Sequence, residues 1–245
     1  KKIADELGVE FRAIDLKSDI TFQDLELEIR KLNEDESITG IIINKPFPFG
    51  SEEDVFSLID ESKDVEGVNP ANLGKLFLGN KGIADVISET PEAILLPPTV
   101  GSVLDILFLA LGDSDIYGKK VTIVGFSSII GKPLALLLAN SFATVSIAHI
   151  ATYEKGDLAS YVKGADILIS AVGEPDLIKG AWIKEGAIVI DVGTSKNGNE
   201  ITGDVEFEEA SRKAAIITPV PGGVGKLTTL FLYHNLMLIR LRRKG

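Results

Sequence analysis

The sequence predicts an α/β protein of two α/β domains, the second a Rossmann-type, doubly wound parallel sheet. Two observations carry the second domain. Short runs rich in Val, Ile and Ala recur at Val121 to Gly125, Thr144 to Ala148, Ile167 to Val172, Ile188 to Val192 and Ala215 to Val220. Strands apolar on both faces belong to a parallel sheet covered by helices on each side. The first run passes through Gly125, Phe126, Ser127, Ser128, Ile129, Ile130 and Gly131 into a helical LysProLeuAlaLeuLeuLeuAla, the junction expected of a nucleotide-binding βαβ unit.

The remaining elements follow in order. Lys1 to Leu7 reads as the end of a helix capped by Gly8, so further residues are expected before Lys1. Phe11 to Leu16 reads as a strand, Thr21 to Leu32 as an amphipathic helix and Gly40 to Asn44 as an apolar strand. Ser51 serves as N-cap of a helix to Asp60, with acids in the first turn where the helix dipole favours them. Lys63 to Gly82 is polar and too long for plain connection, and reads as a functional loop or two short elements. After Pro97 and Pro98 an apolar helix runs from about Ser102 to Leu111, and Leu227 to Arg242 is a long helix with a basic end. The division expected is a first domain of residues 1–99, completed by the C-terminal helix 226–245, and a nucleotide-binding domain of residues 100–225.

Composition narrows the function. With 245 residues, 45% of them hydrophobic, the chain can bury one large core or two modest ones. A net charge of -11 and no Lys/Arg-rich stripe argue against nucleic acid or an anionic membrane as partner and leave small molecules. An anionic ligand must then be caught by local donors and dipoles against the overall field. The chain has no cysteine and 2 histidines, which removes thiolate chemistry and leaves little for a metal centre, so no metal is expected. No apolar run approaches the ~20 residues that span a bilayer, and the compartment expected is cytoplasmic.

At the turn after the first strand of the sheet, backbone N–H groups and the positive end of a helix face one small volume, where a phosphate fits. Ser127 and Ser128 add hydroxyl donors, and Pro133 is tolerated in the first helical turn. The spacing Gly-x-Ser-x-x-x-Gly departs from the usual Gly-x-Gly-x-x-Gly, and a tight turn with ordinary capping is the plain alternative. The second strand ends in AlaHisIleAlaThr, where an acid would favour NAD and a basic or hydroxyl group NADP. His149 is either a donor to a 2′-phosphate or a structural hydrogen-bonding residue, and these residues leave the cofactor choice open.

Several longer strings resemble the bifunctional methylenetetrahydrofolate dehydrogenase/methenyltetrahydrofolate cyclohydrolase family over nearly the whole chain. They are IleThrProValProGlyGlyValGly (217–225), TrpIleLysGluGlyAlaIleValIleAspValGly (182–193), GlyAspValGluPhe (203–207), AlaValGlyGluPro (171–175) and the loop IleValGlyPheSerSerIleIleGlyLysPro (123–133). The resemblance implies an enzyme that oxidises 5,10-methylenetetrahydrofolate with NADP, or NAD, and hydrolyses the methenyl product to 10-formyltetrahydrofolate. It implies a homodimer and an active-site cleft between the two α/β domains, with a tetrahydrofolate derivative in that cleft near Pro221, Gly222 and Gly223. It also implies cofactor contacts at Gly125, Phe126, Ser127, Ser128, Ile130, His149, Ala171, Gly173 and Thr194.

The chain departs from the family on the folate side. The catalytic lysine of the family's Tyr-x-x-x-Lys would fall just before Lys1. IleAsnLysProPhePro (43–48) stands for Val-Gln-Leu-Pro-Leu-Pro, which puts Asn44 at the family's catalytic glutamine. LysAspValGluGly (63–67) puts Glu66 at the family's pterin-contacting aspartate; without the resemblance Glu66 reads as a solvated loop acid. ProProThrValGlySer (97–102) replaces Pro-Cys-Thr-Pro-x-Gly, and Phe126 and Ile150 stand where the family often has Arg or Ser against the 2′-phosphate. Competing readings are a dehydrogenase-only member, another nicotinamide-dependent dehydrogenase, or a member that binds nucleotide or folate without turnover.

Overall fold

The structure, a computed structural model, describes residues 2–48, 50–86, 94–112, 115–197 and 200–243. Lys1 and residues 244–245 of the expected C-terminal segment lie outside them. The first part holds α1 (Lys2–Glu6), α2 (Phe22–Glu34), α3 (Glu52–Phe56), α4 (Pro70–Leu78) and α5 (Ile83–Val86). The second runs α6 (Pro98–Leu111), β1 (Lys120–Val124), α7 (Gly131–Asn140), β2 (Thr144–Ala148), α8 (Ile150–Glu154), α9 (Leu158–Gly164), β3 (Ile167–Ser170), β4 (Ile188–Asp191), β5 (Ser195–Asn197), β6 (Glu200–Thr202), α10 (Phe207–Ala210), β7 (Ile216–Ile217) and α11 (Val224–Arg242).

The sheet has 5 strands in the order β2-β1-β3-β4-β7, every neighbouring pair parallel. Ile167, Leu168 and Ile169 on β3 are all fully covered, as expected of a central strand with helices on both faces. On one side α6 and α7 contribute Val100, Val103, Leu104, Leu107, Leu134, Leu137 and Leu138, and on the other α9 contributes Leu158 and Val162.

Local chemistry explains the helix ends. Thr21 and Ser51 each form a capping box, with Asp24 and Asp54. Asn69 caps α4 by accepting from Ala71 N at 2.7 Å, with Pro70 in the first turn. Helix α11 packs along α6 and back onto the first part. Asn235, buried on α11, donates to Val65 O and Leu96 O, both at 2.8 Å, so both carbonyls are satisfied by one side chain from the far end of the chain.

Several expectations are corrected. Phe11 to Leu16 forms no strand: Phe11, Ile14 and Leu16 are exposed, and no ladder partner pairs with them among the described residues. Gly40 to Asn44 contributes only the isolated bridge of Ile41 with Asp64. The helix after Ser51 ends at Phe56 rather than Asp60. The segment Lys63 to Gly82 contains α4, signalled by Asn69 and Pro70, and α6 begins at Pro98 because a proline fits a first turn whose N–H has no helical partner. The last strand shrinks to Ile216–Ile217, since Thr218 turns its hydroxyl into the structure and Pro219 lacks a donor. The antiparallel pair β5–β6 is an addition.

Candidate functional site

Ligands of open parallel sheets bind beyond the carboxyl ends of the strands, and there the predicted cofactor residues meet. Gly125 N donates to Ala148 O at 2.9 Å, Ala171 N to Val124 O at 2.8 Å and Val192 N to Ser170 O at 2.8 Å. These bonds carry the sheet ladder one residue past each strand end and align Gly125, His149, Ala171 and the 192–194 segment on one rim.

The turn from β1 to α7 has no room for side chains at its glycines. Gly125 has φ +116°, and a Cβ there would lie 2.6 Å from Ala171 O. A Cβ on Gly131 would collide with Gly125 O and lie 3.0 Å from Gly125 C and 3.1 Å from Phe126 Cα. The turn is tied across by Ile130 N donating to Ser127 Oγ at 3.2 Å and Lys132 N to Ser127 O at 3.0 Å. No side chain caps α7 at Ile130; with Lys132 N held by Ser127 O and Pro133 lacking an N–H, the Gly131 amide is the one this helix start offers to a ligand or water. Ser127 and Ser128 are exposed, and Lys132 Nζ stands 5.1 Å from the centroid of the exposed Phe126 ring. His149 is exposed at the start of α8, where its N–H donates to Thr152 Oγ1 at 3.3 Å.

Two buried carboxylates, which sequence reasoning does not single out, stand behind this rim. Asp204 accepts from Ser170 Oγ, Val172 N, Gly173 N and Glu174 N at 2.7–2.9 Å. Asp191 accepts from Gly193 N, Asp204 N and Val205 N at 3.0–3.2 Å. Burial first, then the neighbouring Asp204 charge, pushes Asp191 up to about 7 against these backbone donors. Glycines make room for both acids: a Cβ on Gly193 would overlap the Asp204 carboxylate, and one on Gly203 would overlap that of Asp191.

The Ile41–Asp64 bridge, with Ile41 N donating to Lys63 O at 2.8 Å, lays residues 41–44 beside residues 63–66. This sets Glu66, half-buried, against the backbone of Ile43, the residue before the exposed Asn44. Glu66 Oε2 is buried without a hydrogen-bond partner. Burial, then the charge of Asp64, raises Glu66 to about 7, while the Ile43 amide and Lys45 pull it down. Lys45 pairs with Glu52. Lys63 is structural, donating to Leu32 O at 2.8 Å and Asp35 O at 2.7 Å. The turn after β7 carries a cis Val220–Pro221 bond and Gly222 at φ +111°, and Pro221 and Gly222 are exposed.

A parallel sheet whose first strand ends in a glycine cradle under a helix start defines an open α/β protein of the Rossmann, nucleotide-binding class. Residues 97–244 match the family model for the tetrahydrofolate dehydrogenase/cyclohydrolase NAD(P)-binding domain, and residues 1–66 match that for its catalytic domain. The chain belongs to the tetrahydrofolate dehydrogenase/cyclohydrolase family. The bifunctional protein FolD of Staphylococcus haemolyticus is 38% identical over 247 aligned residues, covering 100% of this chain and 81% of that protein. A methylenetetrahydrofolate dehydrogenase-cyclohydrolase of Trypanosoma brucei, solved with NADP cofactor and inhibitor, superposes with a TM-score of 0.87 at 35% identity, covering 99% of this chain and 80% of that one. The NAD-dependent 5,10-methylenetetrahydrofolate dehydrogenase of Saccharomyces cerevisiae gives a TM-score of 0.74 at 26% identity, covering 100% and 82%.

Proposed function

We propose that this chain oxidises 5,10-methylenetetrahydrofolate to the 5,10-methenyl cation with NADP+, or NAD+, and that the cation is then hydrolysed to 10-formyltetrahydrofolate. The observation that carries the reading is the intact glycine cradle at Gly125 and Gly131 in a chain of this family. The cradle fits a pyrophosphate: glycines at 125 and 131 let the turn close tightly on itself, the hydroxyl-bearing Ser127 and Ser128 are exposed on it, and no side chain caps the start of α7. Gly125, Phe126, Ser127, Ser128 and Ile130 would hold the phosphates and the adenosine side, with His149 at its edge. Ala171, Gly173 and Thr194 would line the nicotinamide side. When bound, the nicotinamide supplies the hydride acceptor.

The protein's share of the oxidation is placement, because the folate nitrogen lone pair already drives hydride loss. Pro221, Gly222 and Gly223 would form the wall under the pterin, whose cleft lies between the part made by residues 1–99 with 226–245 and the part made by residues 100–225. Glu66 would meet the pterin with its unpartnered oxygen. A carboxyl titrating near 7 holds or releases a proton at neutral pH. The Asn44 amide would orient the water that attacks the cation, with a shorter reach than the family's glutamine. A cytoplasmic homodimer completes the proposal; among the described residues no helix is long and apolar enough to cross a membrane.

The test is spectrophotometric. Purified protein is given methylenetetrahydrofolate with NADP+ or NAD+, and reduced nicotinamide is followed. Reduction is expected; substrate-independent silence with both cofactors, in protein that binds them, would reduce the reading to a non-catalytic member.

A further inference from the structure

At the carboxyl end of the sheet one buried side chain gathers more donors than the reaction itself uses. Asp204 is fully buried, and its two carboxylate oxygens divide their partners. Oδ2 accepts from Ser170 Oγ at 2.7 Å and Val172 N at 2.8 Å; Oδ1 accepts from Gly173 N and Glu174 N, both at 2.9 Å. Three consecutive amides of the turn after β3 therefore point at one carboxylate from a residue about thirty positions later in the chain. The turn is otherwise open to solvent: Val172, Gly173 and Glu174 are exposed, and Gly173 has φ +82°. Ser195 Oγ also donates to Gly173 O, and Leu177 N to Glu174 O at 3.4 Å.

The carboxylate is itself held. Asp191 at the end of β4 accepts Asp204 N at 3.2 Å and Val205 N at 3.0 Å. Asp191 N donates to Thr218 Oγ1 at 2.8 Å, just before the proline–glycine turn. Gly193 is a glycine because the Asp204 carboxylate occupies the place of its Cβ, which sets the backbone immediately before Thr194 against the same group. One acid thus binds the amides of residues 172–174 and abuts the backbone at Gly193, while Ser195 Oγ joins the two segments at Gly173 O.

We propose that Asp204 is a positioning residue for the nicotinamide half of the cofactor, acting through the amides of residues 172–174 and the backbone at Gly193. The proposal rests on the reading that these two segments line the nicotinamide side. Asparagine at 204 would keep one acceptor oxygen only. In either orientation its amide group faces at least one backbone N–H that has lost its acceptor, so the turn must shift. The adenosine side, built on Gly125 to Ile130, has no bond to Asp204 among those described.

The experiment measures binding of NADPH and of the fragment 2′,5′-ADP to native protein and to Asp204→Asn, by fluorescence quenching and calorimetry. Expected is a loss of about tenfold or more for NADPH, the scale of one buried donor left without its acceptor, with 2′,5′-ADP held within about twofold. Equal losses for both ligands would show a merely structural acid and overturn the proposal, as would an unchanged NADPH affinity. If Asp204→Asn does not fold, Ser195→Ala loosens the same turn from its other side and is read by the same pair of ligands, with the same two overturning outcomes. If native protein binds NADH alone, NADH and ADP replace the two ligands with the same readings; binding of neither nicotinamide would instead reject the cofactor site.

Discussion

Replacing Gly131 by alanine is a severe test of the cofactor cradle, because the new methyl group meets only backbone. Its Cβ would collide with Gly125 O and stand 3.0 Å from Gly125 C and 3.1 Å from Phe126 Cα. None of these atoms can swing aside as a side chain could, so the β1–α7 turn must open. Overpacking of this kind costs about 1–3 kcal/mol. If that opening is what the bound pyrophosphate has to reverse, the dissociation constant of NADPH rises by about 5-fold to 150-fold, at about 1.4 kcal/mol per factor of ten. The share expressed in the free protein lowers its melting temperature by about 2–4 °C per kcal/mol. Gly164→Ala is the control: its Cβ would point into open space at the end of α9, and binding is expected to be native. Calorimetric titration with NADPH beside a melting curve makes both measurements. A folded Gly131→Ala protein with native affinity would refute the argument, since phosphates would then lie elsewhere.

Further predictions concern the other groups of the site and the joint between the two parts. Glu66 titrates near 7 in the fold, so kcat/KM for methylenetetrahydrofolate is expected to step near pH 7 and to lose that step in Glu66→Gln; an identical profile in the variant would remove Glu66 from the site. Glu66 and Asp191 are both raised, from 4.5 and 3.8 to about 7, so ionising them opposes folding. Stability is therefore full below the unfolded values and declines as pH rises towards 7, a slope that denaturant titrations should find flattened in Glu66→Gln and Asp191→Asn. Asn235→Ala strips the partner from Val65 O and Leu96 O together and is expected to cost about 2–4 kcal/mol in urea unfolding, while an effect under about 0.5 kcal/mol would show that water replaces the amide.

The sheet was legible because its strands are apolar on both faces, a pattern few other structures produce. The same logic misled at Phe11 to Leu16, where alternating apolar residues face solvent: periodicity reports a face, and a strand also needs a neighbour to fill its ladder. Pro97 and Pro98 read as a break before a helix, yet Pro98 is the first residue of α6, since proline is excluded from helix interiors and welcome at their starts. The glycine turn was visible as a strand running into a helix, but its Gly-x-Ser-x-x-x-Gly spacing left a plain tight turn open; the backbone collisions that demand Gly125 and Gly131 appear only in the fold. Asp191 and Asp204 were not visible, because an acid that will be buried looks in sequence like any loop acid until the amides it gathers are in view. Asn44 and Glu66 lie 22 positions apart in the chain, and only the Ile41–Asp64 bridge sets their segments side by side.

The most direct measurement follows the hydrogen itself. Methylenetetrahydrofolate prepared with a dideuterated bridging carbon is turned over once with NADP+ or NAD+, and the reduced cofactor is analysed by mass spectrometry. One deuterium is expected on the nicotinamide ring, with the other retained on the one-carbon unit. Deuterium released to water, or a cofactor reduced without label, would contradict hydride transfer from the folate to a nicotinamide held at the carboxyl end of this sheet.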